Sequence, residues 1–339
     1  MKIGIMGAGA IGGLIGGYLK KSNFDITLID SWHENISTIN NYGLKITSVE
    51  EIFQTHPKAL HIGEVSTNDP LFDFVILSVK SYDTEWATTF IKRFIKKDGF
   101  VVSAQNGINE DKIGSVIGKN NVLGCVITLG AAMESPGHAM RTTTIKKPAF
   151  ALGEIDGSNT DRVTNLVEIF NHIGISKVTN NLYGERWSKL ITNCMSNPLC
   201  SLTGLTSQQI RTNKISRQVS IEIASEIISI AVEKGIKIEK IVGIEPNLFL
   251  EATQSKQKFS ILEKKIIEGA KTFGSGKPSM SQDIIKSRKT EINELNGYIL
   301  EISKGTKINP RTNSAIVDLV KKLEKGEINP KIENLSHLV

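Results

Sequence analysis

The sequence predicts an α/β amino-terminal domain followed by a mostly helical carboxy-terminal domain. Three observations carry this expectation. A glycine-rich turn joins a short apolar strand to a helix at the start of the chain. Apolar strand-like runs then alternate with helical stretches up to about residue 180. Beyond Tyr183 the strand-like runs largely disappear and long helical patterns take over. The expected domains are residues 1–181 and 182–339.

The chain opens Met1-Lys2-Ile3-Gly4-Ile5-Met6-Gly7-Ala8-Gly9-Ala10-Ile11-Gly12. Ile3 and Ile5 read as a buried strand, Gly13 to Lys21 as a helix, and Asp25 to Ile29 as a second strand ending at Asp30. This order of strand, G-x-G-x-x-G turn, helix and strand is the dinucleotide-binding βαβ unit of a Rossmann domain. Gly7 permits the tight turn, Gly9 lets backbone approach a pyrophosphate, and Gly12 lets the helix pack close to the strand. The helix N-terminus offers free N–H groups to phosphate. The expected cofactor-binding turn is therefore Gly7, Ala8, Gly9, Ala10, Ile11 and Gly12.

Further along, Phe74 to Val79, Phe100 to Ser103 and Val122 to Leu129 read as buried parallel strands, with a helix over Asp83 to Lys96. Glu134-Ser135-Pro136-Gly137 is a polar turn, and Ala149 to Gly153 an added strand. Asp161 to Ile173 is an amphipathic helix with Val163, Leu166, Val167, Phe170 and Ile173 on one stripe. In the second domain, long helices are expected over Ser216 to Lys234 and Ser281 to Ser303. Gly274-Ser275-Gly276-Lys277-Pro278 reads as a flexible loop at the edge of the site.

Composition narrows the function class. The 339 residues are 40% hydrophobic and 22% charged, as in an ordinary globular chain of two domains. The net charge of +6 is dispersed over pairs such as Lys92-Arg93 and Lys264-Lys265, with no nucleic-acid motif, so no nucleic-acid partner is expected. A mildly basic surface suits an anionic cofactor and a carboxylate substrate. Cys125, Cys194 and Cys200 form neither a C-x-x-C pair nor a metal spacing, so no metal is expected and the thiols read as reduced. Met1 leads at once into a strand, so no secretory leader is expected, and no apolar run spans a membrane. The expected compartment is the cytoplasm. The expected partner is a small molecule, with a homodimer compatible but not written in the sequence.

Candidate site residues fall in five places. Asp30 lies about 20 residues beyond the glycine turn, where a carboxylate binds adenosine ribose hydroxyls and repels a 2′-phosphate. The following Ser31-Trp32-His33-Glu34 lacks Arg and Lys, which favours NAD over NADP. The other reading of Asp30 is a cap for the next helix. Lys80, in Val79-Lys80-Ser81 at a strand's carboxyl end, meets phosphate or ribose oxygens, or is a solvated loop lysine. Asn106, in Ala104-Gln105-Asn106-Gly107, can aim an amide at the nicotinamide ribose or the substrate, although Asn-Gly is also an ordinary turn.

Lys189, Asn193 and Asn197 lie at i, i+4 and i+8, so a helix puts them on one face. Their neighbours Trp187, Leu190, Ile191, Cys194 and Met195 are apolar, so the polar stripe is buried and needs partners. A bound keto acid or a structural hydrogen-bond network meets that need. Burial should lower the lysine pKa toward working pH. Finally, Ser279 or Ser281 can cap the helix after Pro278, and Ser279 is placed to bind a carboxylate. Glu291 is expected further along that helix, orienting a lysine, binding a ribose, or pairing on the surface with Arg288 or Lys289. Phe249, Leu248, Met133 and Met280 read either as a substrate side-chain pocket or as ordinary core.

Over nearly the whole chain, these pieces resemble the ketopantoate reductase (2-dehydropantoate 2-reductase) family. The markers are Gly7-x-Gly9-x-x-Gly12, Val79-Lys80, Asn106-Gly107, Trp187-x-Lys189-x-x-x-Asn193-x-x-x-Asn197-Pro198, and Ser279-Met280-x-Gln282-Asp283 with Thr290-Glu291-Ile292-x-x-Leu295-Asn296-Gly297. The resemblance implies a Rossmann domain, a helical domain, and reduction of the C2 carbonyl of a 2-keto acid, ketopantoate to pantoate, by NAD(P)H. It implies Lys189 as general acid, with Asn106, Lys189, Asn193, Asn197 and Ser279 holding substrate. It also implies Asn106, Lys80 and Glu291 at the cofactor.

Two departures qualify this. Family precedent is NADPH with a basic residue after the second strand, whereas this chain has Asp30-Ser31-Trp32. A further substrate-binding residue is common downstream of the second asparagine. Here Ser201, Thr203, Thr206, Ser207, Gln208 and Gln209 offer no assignment. The alternatives are an NAD-dependent D-2-hydroxyacid dehydrogenase acting on another branched or aromatic 2-keto acid, and a non-catalytic NAD(P)-sensing protein. A β-hydroxyacid dehydrogenase fits the Ser279 to Glu291 block less well.

Overall fold

A computed structural model describes residues 1–271 and 276–338 of the chain. It divides into two compact units, Met1–Leu182 and Tyr183–Val339. In the first unit the strands are β1 (Lys2–Met6), β2 (Asp25–Asp30), β3 (Leu44–Thr47), β4 (Ile52–Thr55), β5 (Lys58–His61), β6 (Phe72–Leu77), β7 (Ile95–Ser103), β8 (Val122–Ile127), β9 (Ala131–Ser135), β10 (His138–Arg141), β11 (Phe150–Glu154) and β12 (Ser176–Val178). The helices are α1 (Ala10–Lys21), α2 (His33–Tyr42), α3 (Val65–Asn68), α4 (Thr84–Ile91), α5 (Glu110–Ile117) and α6 (Asp161–Asn171).

Eight strands form the main sheet in the order β12-β11-β8-β7-β6-β1-β2-β5. From β5 to β8 all neighbours are parallel, and β11 joins β8 antiparallel. The order from β5 to β8 is the doubly wound dinucleotide-binding arrangement, 3-2-1-4-5-6. One face of the sheet packs on α1 and α6 through residues such as Leu14, Ile15, Leu166 and Phe170. The other carries Ala87, Ile91 and Ile113 of α4 and α5.

The expected α4 is shorter than the sequence suggested. It ends at Ile91, a 3-10 turn follows over Lys92–Phe94, and β7 begins at Ile95. A second sheet, β4-β3-β10-β9, was not legible in the sequence. Of the polar turn expected over Glu134 to Gly137, Glu134 and Ser135 end β9, and Pro136-Gly137 alone connects β9 to β10, with Gly137 at φ +68°. This small sheet explains the doubled glycines of α1. A Cβ on Gly16 would stand 2.7 Å from Leu28 in the main sheet. A Cβ on Gly17 would stand 2.6 Å from Ile46 in the small one. α1 is therefore a helix wedged between two sheets, and its small faces let both approach.

The second unit is helical: α7 (Leu182–Thr203), α8 (Ser207–Thr212), α9 (Lys214–Glu233), α10 (Pro246–Gln254), α11 (Lys256–Ala270), α12 (Ser279–Ile285), α13 (Asn296–Ile302) and α14 (Arg311–Glu324). α9 is buried on most of its circumference, with Val219, Ile223, Ile227 and Ile230 fully covered. The long helix expected over Ser281 to Ser303 does not exist. α12 stops at Ile285, where Ser287 takes the left-handed conformation (φ 51°) and Arg288 N–H closes on Asp283 C=O at 2.8 Å. The exposed Lys286 to Lys289 run offers no buried face to hold a helix there. Glu291 therefore lies in a turn-rich connection rather than along the helix of Ser279. Gly274 and Ser275 of the expected loop lie outside the described residues. Among the described residues no helix is long and apolar enough to cross a membrane. No group of three or more His, Cys, Asp or Glu side chains is gathered there as a metal would require.

Candidate active site

In the sheet unit, the predicted cofactor residues gather at the carboxyl edge. β1 lies between β2 and β6, at the point where the strand order reverses and such sheets bind ligands. Gly7 follows β1 at φ +99°, and a Cβ there would fall 2.8 Å from Val79 N. Its carbonyl accepts the Ser78 hydroxyl at 2.7 Å. A Cβ on Gly12 would fall 1.9 Å from the Gly7 carbonyl oxygen and 2.4 Å from Ser78 Oγ. Ser78 was not among the predicted site residues, although it seals the turn.

Gly9 differs from its neighbours. A Cβ there would meet nothing within 4 Å. Gly9 is also the N-cap of α1, no side chain caps that end, and no acidic residue lies in its first turn. An uncapped helix N-terminus facing open space is suited to an anion. Ala10 and Ile11, in the first turn, are half-buried. The Ala8 N–H is already engaged, donating to Asp30 Oδ2 at 2.5 Å.

Asp30 thus ties two loops together. Its other oxygen accepts the Trp32 N–H at 2.9 Å. It does not cap α2, whose N-cap is Trp32 with no side-chain bond. Lys80, half-buried, precedes a 3-10 turn over Ser81–Asp83 after β6. Asn106 follows β7, with Gly107 at φ +74°. Its carbonyl accepts from Ser81 Oγ and from Asn109 Nδ2, both at 2.7 Å. Gln105 reaches across to Val79 C=O at 3.0 Å and Thr84 Oγ1 at 2.9 Å. These bonds fix the loops after β6 and β7 against each other. The bonds that join the two loops were invisible in sequence because their partners lie more than 20 positions apart.

In the helical unit, α7 carries Lys189, Asn193 and Asn197 as the periodicity required. Both asparagines are buried, and Lys189 is half-buried by surface. Burial of the ammonium, reinforced by the Arg211 charge, lowers the Lys189 pKa to about 8. Arg211, on α8, is absent from the sequence prediction. Its guanidinium is buried, donating to Ser207 C=O at 2.6 Å and to Ser196 Oγ at 2.9 Å. Ser196 sits seven residues beyond Lys189, on the same helix meridian. Burial also lowers the Arg211 pKa, to about 10. The only sequence signal for Arg211 was an arginine two positions past the polar Ser207-Gln208-Gln209 run.

Arg211, Thr192 and Ser196 line a cavity of ≈ 30 Å³ with Phe249 and Ile266. Phe249 lines this cavity and, like Met280, is fully buried, and Met133 belongs to the core of the sheet unit. Burial pushes the Cys200 thiol up to about 11 and raises Cys194 further, so neither is a nucleophile at neutral pH.

Ser279 is the first residue of α12, half-buried, and Pro278 rather than a serine is the N-cap. Ser281 instead faces α7: its hydroxyl is 3.2 Å from Ser201 Oγ, which in turn donates to Asn197 C=O at 2.9 Å. The start of α12 is therefore docked one turn beyond Asn197 through Ser281. Ser201, unassigned in the sequence, has this joining role. Glu291 is buried, not a surface charge. Its segment is anchored by Thr290 N–H on Glu324 Oε1 at 2.8 Å.

Known proteins resemble this chain along nearly its whole length. Residues 3–157 match the family model "Ketopantoate reductase PanE/ApbA", and residues 181–324 match its C-terminal counterpart. The chain is 31% identical to the 2-dehydropantoate 2-reductase of Pyrococcus abyssi over 331 residues, covering 96% of this chain and 99% of the relative. A PanE/ApbA family ketopantoate reductase from Ralstonia eutropha JMP134 superposes with a TM-score of 0.79 at 25% identity, covering 96% of this chain and 99% of that one. D-Mandelate dehydrogenase, solved with NADH and anilino(oxo)acetate, shares the fold with a TM-score of 0.81 at 23% identity, covering 96% and 99%. With its α/β sheet unit, its helical unit and both family models matched along its length, the chain belongs to the ketopantoate reductase family of NAD(P)-dependent oxidoreductases.

Proposed function

We propose that this chain reduces the C2 carbonyl of a 2-keto acid, ketopantoate in the first instance, with Lys189 as proton donor and NADH as the favoured cofactor. The observation that carries the reading is Lys189 itself, a lysine with its pKa lowered to about 8 at the head of a buried asparagine stripe. A general acid works best with a pKa near the operating pH.

The uncapped α1 terminus and the open face of Gly9 suit a dinucleotide pyrophosphate, with Gly7 and Gly12 holding the turn and Ala8, Ala10 and Ile11 completing it. Asp30 would accept the adenosine ribose hydroxyls, and Lys80, Asn106 and Glu291 would complete the cofactor contacts. The bound cofactor would supply the hydride. Lys189 would deliver its proton to the carbonyl oxygen, and the Asn193 and Asn197 amides would stabilise the charge developing on that oxygen. Ser279 would hold the substrate carboxylate, and Asn106 would orient the substrate. The proposed compartment is the cytoplasm, where the three buried free cysteines stay reduced.

NADH is preferred in this reading because Asp30 sets a negative charge where a 2′-phosphate would fall. A second reading, an NADH-dependent dehydrogenase for another branched or aromatic 2-keto acid, is favoured by the same residue. Both are tested by following oxidation of NADH and NADPH with ketopantoate and with branched and aromatic 2-keto acids. We expect turnover with ketopantoate and a lower KM for NADH than for NADPH. Asp30→Asn should raise the NADH KM about tenfold, the cost of one hydrogen bond to a charged group. Cofactor binding without turnover on any keto acid would make the protein a sensor instead.

A further inference from the structure

We propose that His61 is a specificity-determining positioning residue: it locks the loop after β2 in the form that accepts an unphosphorylated adenosine ribose. The proposal rests on the reading of Asp30 as the ribose-binding carboxylate.

His61 ends β5, the edge strand of the main sheet, and pairs in register with Asp30 at the end of β2. Both stand at the carboxyl edge, where the adenosine half of a dinucleotide lies in this fold. The ring is held from two sides. The Gly63 N–H donates to His61 Nδ1 at 3.2 Å. An imidazole nitrogen that accepts a hydrogen bond carries no proton, so the ring proton is assigned to Nε2. Nε2 lies 3.2 Å from the Ser31 carbonyl oxygen and donates to it. Glu64 anchors the same corner by accepting the His61 backbone N–H at 2.8 Å.

The peptide after Asp30 is therefore clamped at both ends. His61 holds the Ser31 carbonyl, and the Asp30 carboxylate holds the Trp32 N–H at 2.9 Å. With Ser31 fixed, Asp30 keeps its second bond to Ala8 and presents its charge at one position. The His33 ring packs edge-on against His61 at 5.9 Å. Asp30, Glu34 and Glu64 are the charged residues of these two segments, and no lysine or arginine lies in 30–34 or 61–64. Such a corner disfavours a 2′-phosphate for as long as the loop keeps its shape. Release of the Ser31 carbonyl frees the loop to turn and Asp30 to swing away.

The test measures KM for NADH and NADPH, kcat and Tm on full-length His61→Ala, His61→Asn and His61→Gln. Asn keeps an acceptor for Gly63 but lacks the reach to Ser31, whereas Gln places an N–H where Nε2 stood. Loss of one neutral hydrogen bond should raise the NADH KM about three- to tenfold in the Ala and Asn variants. In these two variants the NADPH KM should stay level or fall and kcat should change less than about twofold. Gln should restore the native ratio of the two KM values. The Asn and Gln pair keeps the test decisive where the Ala variant fails to fold. An unchanged ratio in Ala and Asn, with Asp30→Asn still shifting it, would overturn the role of His61 alone. A native enzyme preferring NADPH, or a silent Asp30→Asn, would overturn the underlying reading as well.

Discussion

Lys189→Ala is expected to lower kcat for 2-keto acid reduction by about 10²- to 10⁴-fold, the usual contribution of a positioned general acid. The NADH KM should stay within about twofold, because the residues assigned to the dinucleotide lie on the sheet unit, apart from Glu291. The size of the effect follows from the site. Lys189 heads a stripe whose other members, Asn193 and Asn197, are amides and cannot donate a proton at neutral pH. The neighbouring thiol at Cys194 is buried and its pKa is raised, so it offers no substitute. Arg211 is pinned by Ser196 and Ser207 and retains its proton even with its pKa lowered to about 10. Near-normal turnover by the variant, measured at saturating keto acid and NADH, would remove Lys189 from the chemistry.

The second large effect is expected at Gly12. Its replacement by alanine puts a methyl 1.9 Å from the Gly7 carbonyl oxygen, and that oxygen belongs to backbone already bonded to Ser78. α1 cannot move back to relieve the clash, because Gly13 and Gly17 on its far side face Ala139 and Ile46 of the small sheet. Overpacking of this kind costs about 1–3 kcal/mol or more. For a domain of this size that lowers Tm by about 2–12 °C, and it also distorts the turn assigned to the pyrophosphate. Gly9→Ala is the control. Its methyl meets nothing in the protein, so Tm should hold while NADH affinity falls, since the space it fills is the space assigned to the ligand. Equal Tm losses in both variants, by thermal melts alongside NADH titration, would contradict this separation of packing from binding.

How far the sequence reached depended on the range of the signal. Local periodicity located β1, α1, β2 and the polar stripe of α7, because a helix or strand repeats its burial over a few residues. Strands β3, β4, β9 and β10 lack a clear signal because each is at most five residues long, and the β3–β10 pairing that joins the two local pairs into one sheet spans some 90 positions. The run from Ser281 to Ser303 departs from the single expected helix for a related reason. Its apolar spacing is compatible with one helix, but Ser287 turns the chain and two short helices bury the same residues. Candidate site residues that repeat along one element were legible. Those defined by neighbours distant in sequence, such as Arg211, Ser78 and His61, were not. Asp30 was placed correctly at the end of β2, yet its bonds to Ala8 and Trp32 needed the folded loops to appear.

If Lys189, with its lowered pKa, is the proton donor to the carbonyl oxygen, the pH dependence of kcat/KM for the keto acid reports its titration. Lys189 must carry its proton to act as donor, so the active form prevails below its pKa of about 8. Reduction should therefore be level on the acid side and fall about tenfold per pH unit above that value, with the limb absent from the residual rate of Lys189→Ala. A native profile that stays level from pH 7 to about pH 9.5, well past that pKa, would rule out Lys189 as the donor.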